Sequence, residues 1–239
     1  MKKILWFLDI DGCLSAGKFA RFDLAACQRL EALVKERDLA VVLCTGRSLS
    51  YLEALGQLLR VGRYALADHG TLLYDYDTDQ SWAQPGFDAA ARARLESLRQ
   101  QLRTLGEANG RWRLSHGKEA SVSLVANAGD ALGLRETVER AVDLTGFALH
   151  PSGRVLDIVS AGMDKWSGAR FYLEKFPLGP GGRLGAIGDS GGDLPILRRV
   201  DVAACPANAA PAVKEICHYV SPAPDIHGVL DILSRPFPQ

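Results

Sequence analysis

Residues 4–14 read Ile4-Leu5-Trp6-Phe7-Leu8-Asp9-Ile10-Asp11-Gly12-Cys13-Leu14, an apolar run that ends at two carboxylates two positions apart. A short apolar run followed by glycine is typical of a buried central strand that stops at a turn. Open parallel sheets keep their chemistry outside the carboxyl ends of their strands. If the chain turns at residues 10–12, both carboxylates face one pocket, where a cation or a proton must offset the cost of burying them. A solvated strand end capped by aspartate is the alternative.

Length and composition narrow the class of protein. The 239 residues are enough for one large domain or two modest ones. Lys plus Arg and Asp plus Glu both number 28, so no excess of charge predicts a nucleic-acid surface. After Met1-Lys2-Lys3, the apolar run before Asp9 is too short for a signal peptide or a membrane span. The five cysteines lack C-x-x-C spacing, which predicts buried thiols in a reducing cytoplasm without disulfide or zinc.

Strand-like and helix-like segments alternate in the first and last thirds of the chain, which predicts a parallel sheet joined by right-handed crossovers. The predicted strands after the first are 39–44, 64–67, 183–187 and 202–205, and the main predicted helices are 23–37, 48–60, 164–176 and 225–234. Residues 77–86, which are rich in Asp, Thr, Gln, Pro and Gly, predict a linker.

The pattern changes in the middle of the chain. A helix at 87–105, a hairpin at 111–125, a second helix at 131–145 and a second hairpin at 147–158 predict an antiparallel α+β unit inserted into the parallel one. We therefore expect a discontinuous core domain at 1–78 and 162–239, with an inserted domain at 79–161.

Four short signals fall at predicted strand ends or at a helix start. They are Asp9-Ile10-Asp11-Gly12, Thr45-Gly46-Arg47, Lys165 and Gly188-Asp189-Ser190-Gly191-Gly192-Asp193. In this order they resemble the four motifs of the haloacid dehalogenase superfamily of phosphohydrolases, in particular its Cof-like subfamily IIB with type-two caps. The resemblance covers the whole chain and implies a Rossmann-like α/β core with a helix–hairpin–helix–hairpin cap.

The first motif suits phosphoryl transfer. A carboxylate such as Asp9 can attack phosphorus and form an acyl phosphate, unless it serves as a metal ligand alone. Asp11 then acts as general acid and general base, and its alternative is a turn-forming residue. Gly12 lets the backbone turn and present N–H groups to the phosphate.

The fourth motif supplies further carboxylates. Asp189 and Asp193 would complete a Mg²⁺ site with Asp9 and the backbone carbonyl of Asp11, since Mg²⁺ prefers hard oxygen ligands and keeps several waters. The ion would neutralise part of the charge on Asp9 and on the phosphate. Two alternatives remain open here: Asp193 orients Lys165 or a water from outside the coordination shell, and Asp189 belongs to a plain surface turn.

The remaining motif residues are predicted to bind phosphate. Thr45 offers a hydroxyl and Gly46 an N–H at a strand end, although a helix cap would also explain Thr45. Lys165 falls in the first turn of a helix, where the macrodipole disfavours a cation; this indicates a local anion, with a solvated lysine as the alternative. Arg47 suits a phosphate contact or a structural ion pair equally, and His69 is predicted to be a loop residue near the cap hinge.

Selectivity is expected to reside in the cap, which resembles the caps of sugar-phosphate phosphatases, most of all those of the trehalose-phosphate group. This implies a phosphorylated sugar or a related small metabolite as substrate. The candidates for hydroxyl or anion contacts are Lys118, Glu119, Ser121 and Ser123, for which exposed hairpin positions are the alternative.

The resemblance thus implies a Mg²⁺-dependent phosphatase that acts on a small molecule as a monomer or small homo-oligomer. A phosphomannomutase-like mutase and a non-catalytic phosphosugar-binding protein remain as alternatives. Two positions depart from the family pattern: Gly192 stands where many relatives have Asn, and Cys13 stands where Thr or Val is usual.

Overall fold

The computed structural model describes residues 4–237. Residues 1–3 and 238–239 lie outside the described part. Both segments belong to the predicted core domain, and residues 1–3 also begin the stretch that is too short for a signal peptide. The strands are β1 (Ile4–Leu8), β2 (Ala40–Cys44), β3 (Tyr64–Ala67), β4 (Leu72–Asp75), β5 (Gln80–Ala83), β6 (Trp112–Leu114), β7 (Ser121–Ala126), β8 (Phe147–Ser152), β9 (Val155–Ser160), β10 (Arg183–Ile187), β11 (Val202–Cys205) and β12 (Tyr219–Val220). The helices are α1 (Leu24–Glu36), α2 (Leu49–Gly56), α3 (Ala89–Asn109), α4 (Ala131–Ala141), α5 (Lys165–Lys175), α6 (Leu194–Leu197), α7 (Pro211–Lys214) and α8 (Asp225–Ser234).

Eight of these strands form the core sheet, in the order β12-β11-β10-β1-β2-β3-β4-β5. Neighbours from β12 to β3 pair in parallel, and β4 and β5 add an antiparallel edge. Strand β1 lies between β10 and β2, so the ends of the strands that carry the first, second and fourth motifs are adjacent. The predicted α/β fold class is confirmed.

Alternation along β1 divides the core into two layers. Trp6 and Leu8 pack on one face with residues of α1, α2 and α8, whereas Leu5 and Phe7 pack on the other face with residues of α5, α6 and α7. All four side chains are buried. A central strand of a parallel sheet is covered by helices on both faces, which explains why β1 reads as a continuous apolar run.

The inserted unit forms a separate antiparallel sheet in the order β6-β7-β9-β8, with α3 and α4 packed on one face. Val122, Leu124 and Ile158 belong to the apolar layer beneath these helices. Because successive strand residues point to opposite faces, Ser123 and Asp157 lie on the other face of this cap sheet.

Several local predictions are wrong. Residues 80–83, predicted as part of a linker, form β5 and pair with β4 in the core sheet. Helix α2 ends at Gly56 rather than residue 60, and helix α4 ends at Ala141 rather than residue 145. Helix α3 extends to Asn109, beyond the predicted end at residue 105. The domain limits stay a prediction, and the position of β5 argues for moving the first boundary from residue 79 to beyond residue 83.

The cysteines of the described chain are free, and its helices were compared with the length of a membrane span. Cys13, Cys27, Cys44 and Cys205 are buried free thiols, and Cys217 is a partly buried one. Within residues 4–237, none of the helices combines the length and the apolar character needed to span a bilayer.

Candidate active site

The first motif forms a tight turn at the end of β1. The N–H of Asp9 donates to the carbonyl of Ile187 at 3.0 Å and extends the pairing with β10 by one residue. The carbonyl of Ile10 then accepts from three following N–H groups, the closest being that of Leu14 at 2.7 Å. This turn breaks the strand alternation, so the carboxylates of Asp9 and Asp11 line the same cavity.

Gly12 is required by both conformation and space. Its φ of +81° is in the left-handed region, and a Cβ there would lie 2.1 Å from Oδ2 of Asp189. The Gly12 carbonyl accepts from Nδ2 of Asn208 at 2.8 Å. Asn208 therefore ties the loop after β11 to the first motif, a role that the sequence did not predict.

Lys165 reaches the end of β1 from the first turn of α5. Asp164 caps this helix: its carboxylate accepts from the N–H of Ser167 at 2.7 Å, and the Ser167 hydroxyl accepts from the Asp164 N–H at 2.9 Å. The buried ammonium of Lys165 lies 2.7 Å from Oδ1 of Asp9 and 2.6 Å from Oδ1 of Asp193. Burial alone would lower the pKa of Lys165, but Asp193 and Asp9 hold it well above its usual value.

Three carboxylates converge at this point. One oxygen each from Asp9, Asp189 and Asp193 lies within 4.8 Å of the others. Burial, reinforced by Asp193, raises the pKa of Asp189 to about 7. Burial also raises the pKa of Asp9 well above its usual value, against the effect of Lys165, and the other two acids add to the rise. Negative charge in this cluster thus exceeds what Lys165 balances.

This cluster fits a divalent cation. Its donors are hard carboxylate oxygens, which Mg²⁺ and similar ions prefer. Oδ1 of Asp189 is buried and has no hydrogen-bond partner within the described residues. A buried acceptor without a partner is costly, and a cation would satisfy it.

Asp193 differs from the other two acids because its oxygens are already engaged. Oδ1 accepts from Lys165, and Oδ2 accepts from the N–H groups of Asp189 and Ser190 at 3.1 and 3.0 Å and from the Ser190 hydroxyl at 3.2 Å. These contacts favour the alternative in which Asp193 orients Lys165 and the fourth-motif loop. Gly192 lines the cavity beside this loop.

The second motif follows β2. Thr45 is fully buried, and its Oγ1 accepts from the N–H of Arg47 at 3.1 Å, which leaves its hydroxyl hydrogen free to donate. A Cβ on Gly46 would lie 2.6 Å from the His69 imidazole. Arg47 forms a bidentate ion pair with Asp11, with both N···O distances 2.7 Å. Of the two roles predicted for Arg47, phosphate contact and structural ion pair, the geometry favours the ion pair.

A cavity of about 340 Å³ joins these residues to the cap. Its core wall carries all four motifs, and its cap wall is the β8–β9 hairpin, from His150 to Val155, together with Asp157. Lys18, in the loop after the first motif, also lines it.

The structure does not bring the four cap candidates to this cavity. Lys118, Glu119 and Ser121 meet Asp68, which lies after β3 in the core. The Asp68 carboxylate accepts from the Ser121 hydroxyl at 2.8 Å, from the N–H groups of Glu119 and Ala120, and lies 3.2 Å from the Lys118 ammonium. Lys118 also donates to the carbonyl of Gly46. A direct substrate contact by these residues stays a prediction.

A second bridge between core and cap involves His69, whose Nε2 lies 3.1 Å from Oδ2 of Asp157. Ser123, the fourth cap candidate, donates to the other oxygen of Asp157. The His69 ring also stacks on that of His150, with centroids 5.1 Å apart. Burial alone would raise the pKa of Asp157, but Lys118 and the hydrogen bond from His69 hold it below its usual value. The hinge position predicted for His69 agrees with these contacts.

Asp68 and Asp157 were not predicted as functional residues. A signal existed for Asp157: it is a charged residue inside the otherwise apolar run Val155-Leu156-Asp157-Ile158-Val159. Such a residue in a buried strand needs a partner, but the sequence does not name that partner.

Comparison with known proteins identifies the family. A family model described as haloacid dehalogenase-like hydrolase matches residues 93–233, which is more than half of the chain. The chain belongs to the haloacid dehalogenase-like hydrolase family. The predicted family and the prediction that the protein is an enzyme are confirmed.

Relatives within the family point to phosphatases. A phosphoglycolate phosphatase from Methanopyrus kandleri is 27% identical over 95% of this chain and 94% of its own length. Another from Methanospirillum hungatei is 28% identical over 96% and 95% of the two chains. A crystal structure from Thermoplasma acidophilum matches with a TM-score of 0.74 at 20% identity and covers 97% of both chains. The sucrose-phosphatase from Synechocystis, solved with sucrose and phosphate, matches with a TM-score of 0.69 at 16% identity over 98% of both chains.

Proposed function

We propose that the protein is a Mg²⁺-dependent phosphomonoester hydrolase that acts on a small phosphorylated metabolite through an aspartyl phosphate on Asp9. The observation that carries this proposal is the buried cluster at the end of β1. Asp9 lies 2.7 Å from Lys165 and beside Asp189, whose Oδ1 has no hydrogen-bond partner within residues 4–237 and suits a cation. Asp11 lines the same cavity.

Asp9 is the nucleophile in this mechanism. Its carboxylate oxygen attacks phosphorus while the bond from phosphorus to the leaving oxygen breaks, which forms an acyl phosphate. Lys165 favours the ionised form of Asp9 and lies where it can also neutralise a phosphate oxygen. The hydroxyl hydrogen of Thr45 and the N–H of Gly46 would donate to the other phosphate oxygens, whereas the N–H predicted for this role at Gly12 is taken by the Ser15 carbonyl at 2.7 Å.

Asp11 is the general acid and base of this mechanism. In the first step it gives a proton to the leaving oxygen, and in the second it takes one from the water that attacks phosphorus and releases phosphate. The bidentate pair with Arg47 fixes the Asp11 carboxylate at the leaving-group side of the cavity. Arg47 is therefore a positioning residue, and proton uptake by Asp11 requires this pair to loosen.

Asp9 and Asp189, with the backbone carbonyl of Asp11, would hold the metal ion. Mg²⁺ supplies partial neutralisation of the charge that Asp9 and the phosphate bring together. Asp193 positions Lys165 and the loop of Asp189 from outside the coordination shell.

The substrate remains within the class of phosphorylated sugars and related small metabolites. The cavity volume of about 340 Å³ accommodates a small leaving group beside the phosphate. The relatives named phosphoglycolate phosphatases favour a leaving group with a carboxylate over the trehalose-type sugar that the cap pattern suggested.

The test is phosphate release from a panel of phosphorylated acids, sugars and glycerates, with Mg²⁺ and with EDTA. We expect release that requires the metal and is concentrated on one substrate group. Asp9→Asn should fold as the wild type does and lose at least about 10³-fold in kcat, because an amide cannot form the acyl phosphate.

Two results would contradict the proposal. Wild-type activity in Asp9→Asn would remove Asp9 as the nucleophile. Silence of the folded wild type across the panel would favour a mutase or a binding protein, which transfer of phosphate to a bisphosphorylated sugar and tight phosphosugar binding would then distinguish.

A further inference from the structure

Lys18 lies in the loop that follows the first motif. This loop is anchored at its start, because the Gly12 N–H donates to the Ser15 carbonyl at 2.7 Å. Arg47 donates to the Lys18 carbonyl with the guanidinium that also holds Asp11. The Lys18 backbone is thus fixed beside the pair of Asp11 and Arg47, which is where the proposed function places proton transfer to the leaving group.

The Lys18 ammonium is uncommitted. Two lysines line the cavity, and Lys165 is held by two carboxylates. Lys18 is partly buried, yet its ammonium makes no hydrogen bond or ion pair with any residue between 4 and 237. Burial lowers its pKa, as expected for a cation that has lost water without gaining a contact.

The charges nearest to Lys18 already have partners. Asp11 pairs with Arg47, Asp157 accepts from His69, and Lys118 lies against Asp68. Arg154 on the cap wall is exposed and donates to the carbonyls of Ala126 and Asn127. A desolvated cation that faces a binding cavity without a partner is poised to take an anion from a ligand.

We infer that Lys18 is a specificity-determining residue that binds a carboxylate on the leaving group of the substrate. The inference rests on the proposed function and deepens it. It implies that the enzyme selects phosphorylated carboxylic acids over phosphate esters whose leaving group carries no charge. Lys18 takes no part in the bond changes at phosphorus, which stay with Asp9 and Asp11.

The test compares two substrates of similar size, 2-phosphoglycolate and ethyl phosphate, which carries a methyl group in place of the carboxylate. The variants are Lys18→Met, which keeps an unbranched apolar chain without the charge, and Lys18→Arg, which keeps the charge. Lys35→Met, at an exposed position outside the cavity, is the matched control.

We expect wild type to prefer 2-phosphoglycolate and Lys18→Met to lose about tenfold or more in kcat/KM on it, because a partly desolvated charge-assisted hydrogen bond is lost. The same variant should stay within about twofold of wild type on ethyl phosphate, where no such bond exists. Lys18→Arg should retain most of the preference, and Lys35→Met all of it.

Three results overturn the inference. An equal loss on both substrates in Lys18→Met means that Lys18 acts on cap position through Asp157 and leaves the proposed function intact. Wild type without any preference between the substrates also removes the role of Lys18 but not the hydrolase. Failure of wild type to release phosphate from 2-phosphoglycolate, while it hydrolyses a phosphorylated sugar of the panel with Mg²⁺ present, removes the inference and leaves the hydrolase intact, whereas silence on the whole panel counts against both.

Discussion

At the residue scale, the site depends on an imbalance of charge that the fold keeps in place. Three carboxylates surround one ammonium, and burial makes their repulsion stronger than it would be in water. Asp189 carries part of this cost, since its Oδ1 has no hydrogen-bond partner among residues 4–237 and its pKa is raised to about 7. Stability in this region is therefore given up for the ability to bind a cation and a phosphate.

Asp189→Asn should stabilise the metal-free protein. The raised pKa means that folded Asp189 holds its proton more tightly than the unfolded chain does, so its contribution to stability is present below pH 4 and is lost as pH rises towards 7 and above. Because Asp189 is partly exposed, we expect a gain of about 1 kcal/mol at pH 8 and less than half of that at pH 5. Thermal unfolding in EDTA at the two pH values measures it.

The same variant should lose the rise in Tm that Mg²⁺ gives to the wild type, because a ligand that binds only the folded state stabilises it. A wild-type response to Mg²⁺ in Asp189→Asn would show that Asp189 is not a metal ligand. A lower Tm than wild type in EDTA at pH 8 would contradict the cost assigned to its buried charge.

At the scale of elements, helix α5 connects local sequence to the site. Lys165 is its first residue, and the capping box of Asp164 and Ser167 fixes where the helix begins. Displacing the helix start by a fraction of a turn would move the ammonium away from Asp9. The capping box at the start of α5 therefore contributes to the position of Lys165 as well as to helix stability.

Asp164→Ala should reduce both stability and turnover. Loss of an N-cap costs about 1 kcal/mol. Asp130→Ala, which removes the equivalent N-cap of α4 in the cap, is the matched control, because α4 carries no site residue. We expect similar losses in the urea midpoint for the two variants and a clear fall in kcat for Asp164→Ala alone. Equal kcat values would indicate that the helix start does not position Lys165.

Elements with strong local signals were predictable and elements that depend on pairing were not. The sequence predicted β3, β10, β11 and α8 with the observed bounds, since short apolar runs between helices and an amphipathic helical segment are local patterns. Strand β5 was missed because Gln80-Ser81-Trp82-Ala83 is short and half polar, and it becomes a strand only because β4 offers it an edge.

At the scale of the whole molecule, the docking of the cap on the core decides which residues meet. The motifs of the core could be assembled from sequence because parallel strand ends share one edge of the sheet. The cap contacts could not, since they join residues about 50 to 90 positions apart, such as Asp68 with Ser121 and His69 with Asp157. For this reason the four predicted cap residues contact Asp68 or Asp157 where the cap meets the core. The β8–β9 hairpin, which was not predicted to bind substrate, forms the cap wall of the cavity.

Asp68→Asn should loosen the cap. The variant leaves the ammonium of Lys118 without its carboxylate, and removal of one partner from a buried ion pair costs about 3 kcal/mol. We expect faster proteolytic cleavage at the core–cap connections and a higher KM, because the cap wall of the cavity is held less firmly against the core. Asp75→Asn is the matched control: Asp75 is buried and paired with Arg63 within the core, away from the cap. Equal protease sensitivity of the two variants would contradict a specific role for Asp68 in docking.

The measurement that tests the central claim most directly is chemical trapping of the phosphorylated enzyme. The protein is mixed with its best substrate and Mg²⁺, quenched in acid, and treated with borohydride, which reduces an acyl phosphate to the alcohol. Peptide mass spectrometry should then find homoserine at position 9, and neither EDTA-treated wild type nor Asp9→Asn should yield it. Release of phosphate by wild type without homoserine at position 9, or with the reduced residue at another carboxylate, would contradict the account.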